Sequence, residues 1–238
     1  MIGSRCGGPA TTLNPEEHAA VEAVLLAARR FGFLGPGPVT GHIDQAVAFA
    51  GLVSRAPSNG MTSRRYCPSD PNWTGRILDL GSGGGVPGLV VSLLLPQASV
   101  TLLDANQRRT SFLIDSVDRL GVSSRVGILR GRAEEAGRDQ SLRGNFDWVL
   151  ARSFAPPAVT AECAAPFLRQ GGKLLVSEPP AASKGAGSRW SSGGLSVLGM
   201  SLATVVEGGF HFACIAQVRA CPAVYPRRSG IPAKRPLF

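Results

Sequence analysis

ILDLGSGGGVPGLVVSLL, running from Ile77 to Leu94, reads in order as a strand, a glycine turn and a helix. Ile77 and Leu78 suit a buried strand, with Asp79 at its end. Gly81, Ser82, Gly83, Gly84 and Gly85 form a turn with almost no side chains, and the apolar run after Pro87 suits a helix packed on a sheet. A turn this bare lets backbone N–H groups approach a ligand closely at a helix N-terminus, the way α/β folds hold adenosine-containing cofactors. The plain alternative is a tight turn with no ligand. It is disfavoured by the conformational entropy that so many glycines lose on folding.

Two fingerprints compete for this turn. A dinucleotide site wants G-x-G-x-x-G directly after the strand. Counted from Gly81, the third glycine falls on Val86. Counted from Gly83, the pattern is met by Gly83, Gly85 and Gly88, but it then starts too far beyond the strand and leaves Asp79 without a role. The pattern Asp79-x-Gly81-x-Gly83-x-Gly85 instead resembles the first motif of S-adenosylmethionine-dependent methyltransferases, in which the acidic residue orients the turn.

A second signal lies downstream. The stretch from Ser99 to Leu103 reads as a buried strand and ends at Asp104. Asp104 is close to the ~20-residue offset at which an acidic residue meets ribose hydroxyls. A carboxylate there serves the ribose of either NAD or S-adenosylmethionine. Helical spacing follows from Asn106 to Leu120, so a helix N-cap is the competing role for Asp104.

At 238 residues the chain suits one α/β domain with modest additions. The longest uncharged stretch is broken by glycines and by Pro87 and Pro96, so it reads as buried sheet and helix rather than a membrane span. The N-terminus lacks a cationic-then-apolar signal pattern, and a cytoplasmic, monomeric protein with no membrane partner is expected. Cys6, Cys67, Cys163, Cys214 and Cys221 include no C-x-x-C pair, so neither a disulfide framework nor a metal site is indicated. His18, His42 and His211 are far apart and are given no chemistry. The net charge of +9 is carried mostly by arginine, and no acid follows Glu207. This asymmetry suits a polyanion, most readily nucleic acid, with a solvated tail as the bland alternative.

The coarse organisation is an N-terminal helical extension over 1–72, a methyltransferase-like domain over 73–220 and a basic tail over 221–238. Asn14-Pro15-Glu16-Glu17 is a helix start, and that helix should stop before Gly32. A second helix is expected from His42 to about Leu52. Strands are predicted at Ile77–Leu80, Val100–Asp104, Val126–Leu129, Phe146–Ala151 and Lys173–Val176, with helices at Gly88–Leu95, Gln107–Leu120 and Pro157–Leu168 between them. Such alternation implies a parallel sheet. Met1–Thr12 and the low-complexity Ala182–Gly194 are expected to be mobile, and Ala56–Trp73 to be a loop. Thr204–Glu207 and Phe210–Val218 read as a closing hairpin. The expected fold is α/β: a Rossmann-like, mostly parallel sheet of seven strands with a terminal antiparallel hairpin, preceded by helices.

The segments ILDLGSGGGVPGLV, LLDANQRRTSFL, GRAEE, ARSFAP and YPRRSGIPAKRPL together resemble the glucose-inhibited division protein B family, bacterial methyltransferases that modify guanine N7 in 16S ribosomal RNA. ARSFAP and YPRRSGIP are the most specific of these. The resemblance implies S-adenosylmethionine as cofactor, with Gly81, Gly83 and Val86 lining it and Asp104, Ala105 and Asn106 around its ribose. It further implies Ala133 and Glu134 beside the adenine, and Arg152 at the junction of cofactor and substrate. The plain readings are a helix-start carboxylate for Glu134 and a surface ion pair for Arg152. The family's longer His-Ile-Leu-Asp-Ser element is shortened here to Gly41-His42-Ile43-Asp44-Gln45, and Ser177-Glu178-Pro179-Pro180 stands where a lysine is common.

Methylation at guanine N7 removes no proton, so alignment of N7, methyl carbon and sulfur is the enzyme's main task. In keeping with this, Arg152-Ser153-Phe154-Ala155-Pro156-Pro157 replaces the Asp/Asn-Pro-Pro-aromatic segment of exocyclic-amine methylases. Cys163 falls in a predicted helix, as packing rather than as a nucleophile. Arg227, Arg228, Lys234 and Arg235 are the candidate contacts to 16S rRNA or the small subunit.

Overall fold

The computed structural model describes residues 12–54, 73–179, 189–207 and 209–238. The expectations for 1–11, for most of Ala56–Trp73 and for 182–188 lie outside these residues. The chain begins with α1 (Pro15–Arg30) and α2 (Val39–Ser54), then alternates through β1 (Arg76–Leu80), α3 (Gly88–Leu94), β2 (Ser99–Asp104), α4 (Gln107–Arg119), β3 (Val126–Arg130), α5 (Ala133–Ala136), β4 (Phe146–Ala151), α6 (Pro157–Ala164) and β5 (Leu168–Glu178). It closes with α7 (Ser192–Val197), β6 (Met200–Glu207), β7 (His211–Gln217) and α8 (Ile231–Lys234). Asn14 caps α1 in a reciprocal capping box with Glu17, as the sequence signals.

The seven strands order as β3-β2-β1-β4-β5-β7-β6. β1 to β5 run parallel, while β7 is antiparallel to both β5 and β6. Alternating strand residues feed two core layers, as a period of two requires. Ile77, Val100, Leu102, Trp148 and Leu150 pack with α2, α3 and α4, whereas Leu78, Leu103, Val149 and Ala151 pack with residues of α6 and α7. The strand order reverses between β1 and β4. In open α/β sheets, ligands bind outside the carboxyl ends of the strands at such a switch point.

Several boundaries move. β5 starts at Leu168 rather than Lys173, because Leu168 pairs with Phe146 and the ladder then shifts register before Trp148. The helix from Pro157 ends at Ala164, and a tighter turn over Ala165–Phe167 takes in Pro166. The described end of the low-complexity stretch is not loose. Trp190 is buried, its indole N–H donates to Glu178, and Ser191 caps α7.

Candidate functional site

The glycine turn is fixed from beneath by two buried carboxylates. Asp79, at the end of β1, accepts the Gly88 amide at 3.0 Å through Oδ2, and the Ser82 hydroxyl donates to the Asp79 carbonyl at 3.0 Å. Burial pushes the Asp79 carboxyl up to about 7, against the pull of the Gly88 and Ser82 hydrogen bonds and the Arg152 charge. Asp104, at the end of β2, accepts the Gly83 amide at 2.9 Å and the Asn106 amide at 2.8 Å, one on each oxygen. The N-cap of α4 is Asn106, whose side chain accepts from the Arg108 and Arg109 amides. Asp104 is therefore free of the capping role and keeps further acceptor capacity.

Gly81 adopts φ +75°, and a Cβ there would meet the Phe154 ring at 2.6 Å. Only glycine leaves the space between the turn and Phe154 open. That space is a pocket of about 170 Å³ lined by Gly81, Asp104, Ala105, Ala133 and Glu134, with Phe154 and Ala155 on one wall and Ala233 on another. Its apolar walls, the bare turn and the part-satisfied Asp104 carboxylate suit a nucleoside with ribose hydroxyls to donate. Cys163 also borders it, its thiol pushed up to about 12 by burial first and by Glu134 and Glu162 next, so it is no nucleophile.

Gly83, Val86, Asn106 and Arg152 are not among the residues that line this pocket. Val86 packs behind the turn among Val21, Leu25, Ile43 and Val90 of the neighbouring helices. Arg152, just past β4, donates to Gln45 Oε1 at 2.6 Å and to His42 Nδ1, and forms no ion pair among the described residues. His42 is buried, and its Nε2 meets the Gly35 carbonyl. With Nδ1 accepting from Arg152, Nε2 carries the proton, and burial together with the Arg152 charge lowers the His42 pKa. The sequence reading missed this role for His42 and Gln45, which it met only as part of a shortened family element over Gly41–Gln45. Ser153 follows Arg152 with φ +54°, a left-handed conformation uncommon outside glycine that turns the chain toward Phe154.

The basic segment after Cys221 is docked on the domain. Arg227 grips Glu162, which is fully buried, through its Nε (2.8 Å), Nη2 (2.6 Å) and backbone amide (2.9 Å). The Gly230 amide donates to Glu134 at 3.0 Å. Burial raises the Glu134 pKa, but the amide bonds from Gly230 and Glu134 itself and the Arg132 guanidinium outweigh it and hold the carboxyl low. Arg143 and Arg138 donate to carbonyls of Cys221, Pro222, Tyr225 and Pro226. Arg228, Lys234 and Arg235 remain exposed.

A cofactor-bound protein from MTB, Rv0187, superposes with a TM-score of 0.53 at 18% identity, covering 87% of this chain and 91% of that one. TYW2 of P. horikoshii, solved with MeSAdo, gives a TM-score of 0.51 at 12% identity, covering 77% and 64%. These likenesses show the fold: a mostly parallel seven-stranded sheet with a glycine turn at its switch point. Residues 51–182 match GidB, rRNA small subunit methyltransferase G. Ribosomal RNA small subunit methyltransferase G of Prochlorococcus marinus is 33% identical over 181 residues, covering 70% of this chain and 69% of that protein. The same enzyme of Synechococcus elongatus is 35% identical over 173 residues, covering 70% of each. The chain belongs to the rRNA small subunit methyltransferase G family.

Proposed function

We propose that this protein methylates N7 of a guanine in 16S rRNA, using S-adenosylmethionine. The observation that carries the reading is the meeting of two pockets at Phe154 and Ala155. One is the pocket of about 170 Å³ under the glycine turn, and the other is a cavity of about 350 Å³ bordered by Arg152. S-adenosylmethionine supplies an electrophilic methyl carbon, which the N7 lone pair takes as the C–S bond breaks and its electron pair stays on sulfur.

The residues do the rest by placement. Asp104 accepts ribose hydroxyls, Ala133 and Glu134 border the adenine, and Gly81 leaves room for the reacting end. Arg152, held by His42 and Gln45, faces the second cavity and fixes where the base comes to rest. Alignment of this kind is worth much of the barrier, since even ~1 Å of misplacement can cost on the order of a hundredfold in rate. No group is asked to take a proton.

Arg228, Lys234 and Arg235 contact RNA phosphates in this reading, while Arg227 holds the segment that carries them. No helix among the described residues is long and apolar enough to cross a membrane. The reading places the enzyme, as a monomer, with its ribosomal substrate in the cytoplasm. Deleting the gene and mapping 16S rRNA tests it: one guanine should lose its N7 methyl group, and an unchanged methylation map would contradict the assignment.

A further inference from the structure

The cavity of about 350 Å³ beside Arg152 lies within the ~300–1,000 Å³ of small-ligand pockets and is lined by Gln45, Arg152, Phe154, Glu178 and Trp190 among others. Phe154 and Ala155 border both this cavity and the pocket under the glycine turn, so a group bound in one lies against a group bound in the other. Glu178 is the last residue of β5, and its side chain is only 4% exposed. Oε1 accepts the Trp190 indole N–H at 3.1 Å, and Oε2 pairs with Arg189. An ionised carboxylate offers about four acceptor sites, so two remain on Glu178.

We propose that Glu178 reads the Watson–Crick edge of the target guanine in this cavity and thereby turns N7 toward the cofactor. This rests on the reading of the reaction as guanine N7 methylation. Among the four bases, guanine alone sets two adjacent donors, N1–H and the N2 amino group, on that edge, and a carboxylate accepts both. Adenine and cytosine place a ring-nitrogen acceptor there, which Glu178 repels. Uracil has one donor flanked by two carbonyls. N7 lies on the opposite side of the purine, so a guanine seated on Glu178 directs N7 back across the cavity toward Phe154 and Arg152.

The test compares small subunits rebuilt with guanine or with inosine at the methylated position. Inosine keeps N7 and N1–H but lacks the N2 amino group. Wild-type enzyme should prefer guanine by on the order of ten- to a hundredfold in kcat/KM, the cost of one lost donor to a buried carboxylate. Glu178→Gln retains an acceptor for Trp190 but no longer offers two acceptors to the base. Its preference should collapse toward unity, with calorimetric affinity for S-adenosylmethionine unchanged. Equal rates on the two substrates for the wild type, a measurement that needs no variant to fold, would overturn the proposal. So would an undiminished preference in Glu178→Gln, which would leave Glu178 as an anchor for Trp190 alone. A wild type that labels no guanine N7 at all would overturn the reaction reading as well, and this is seen before inosine is introduced.

Discussion

Asp79→Asn removes a carboxyl that is only 1% exposed at the end of β1, directly beneath the glycine turn. Burial moves its pKa from 3.8 to about 7, which at ~1.4 kcal/mol per pH unit is roughly 4 kcal/mol when complete. The folded pKa lies above the unfolded one, so the folded state is penalised as pH rises. Below the unfolded value both states are protonated and no penalty arises. Between it and about 7 the unfolded chain releases a proton that the folded chain keeps, and above about 7 the penalty is constant. Asn cannot ionise, still accepts the Gly88 amide, and carries an NH₂ group whose cost is the same at every pH. The stability of Asp79→Asn relative to wild type should therefore improve by about 2–3 kcal/mol between about pH 5 and about pH 8, whatever its absolute offset. Urea unfolding of both proteins across that range measures the difference directly. Curves that run parallel with pH would refute the reasoning and leave Asp79 as an ordinary hydrogen-bonded acid.

Arg227→Ala leaves the fully buried Glu162 carboxylate without its guanidinium partner, with only the backbone amide of residue 227 remaining, and should cost about 3–5 kcal/mol in urea unfolding, with weaker cofactor binding because Ala233 of the same segment walls the pocket. Asp104→Ala removes the acceptor of the Gly83 amide, which the proposed function also gives to the ribose hydroxyls, and calorimetry should show a loss of S-adenosylmethionine affinity of roughly tenfold or more. Changing Arg228, Lys234 and Arg235 together to alanine should flatten the salt dependence of RNA binding without lowering stability, since all three are exposed. An identical slope in variant and wild type would place the RNA elsewhere.

The sheet was legible because its strands are short apolar runs ended by Asp79 and Asp104, with a glycine turn that few other folds need. The helix start at Asn14 was legible because capping chemistry is local. What escaped the sequence was long-range. Nothing local distinguishes Arg227 from Arg228, yet one enters a buried pair with Glu162 and the other faces solvent. His42 looked isolated because its partner Arg152 is brought to it only by packing α2 against the sheet. Glu178 read as a departure from a family pattern, and its burial became visible only once Trp190 closed over it. Polar residues of this kind are chosen by the partners that the fold delivers, and sequence spacing carries no record of those partners.

The central claim is the identity of the methylated atom. Incubating the protein with methyl-labelled S-adenosylmethionine and small ribosomal subunits that lack the modification, then digesting the RNA to nucleosides, reads that atom directly. The label should appear in 7-methylguanosine at one position. Label on an exocyclic amine, a ribose hydroxyl or a cytosine carbon would contradict the account, as would no transfer to any ribosomal substrate.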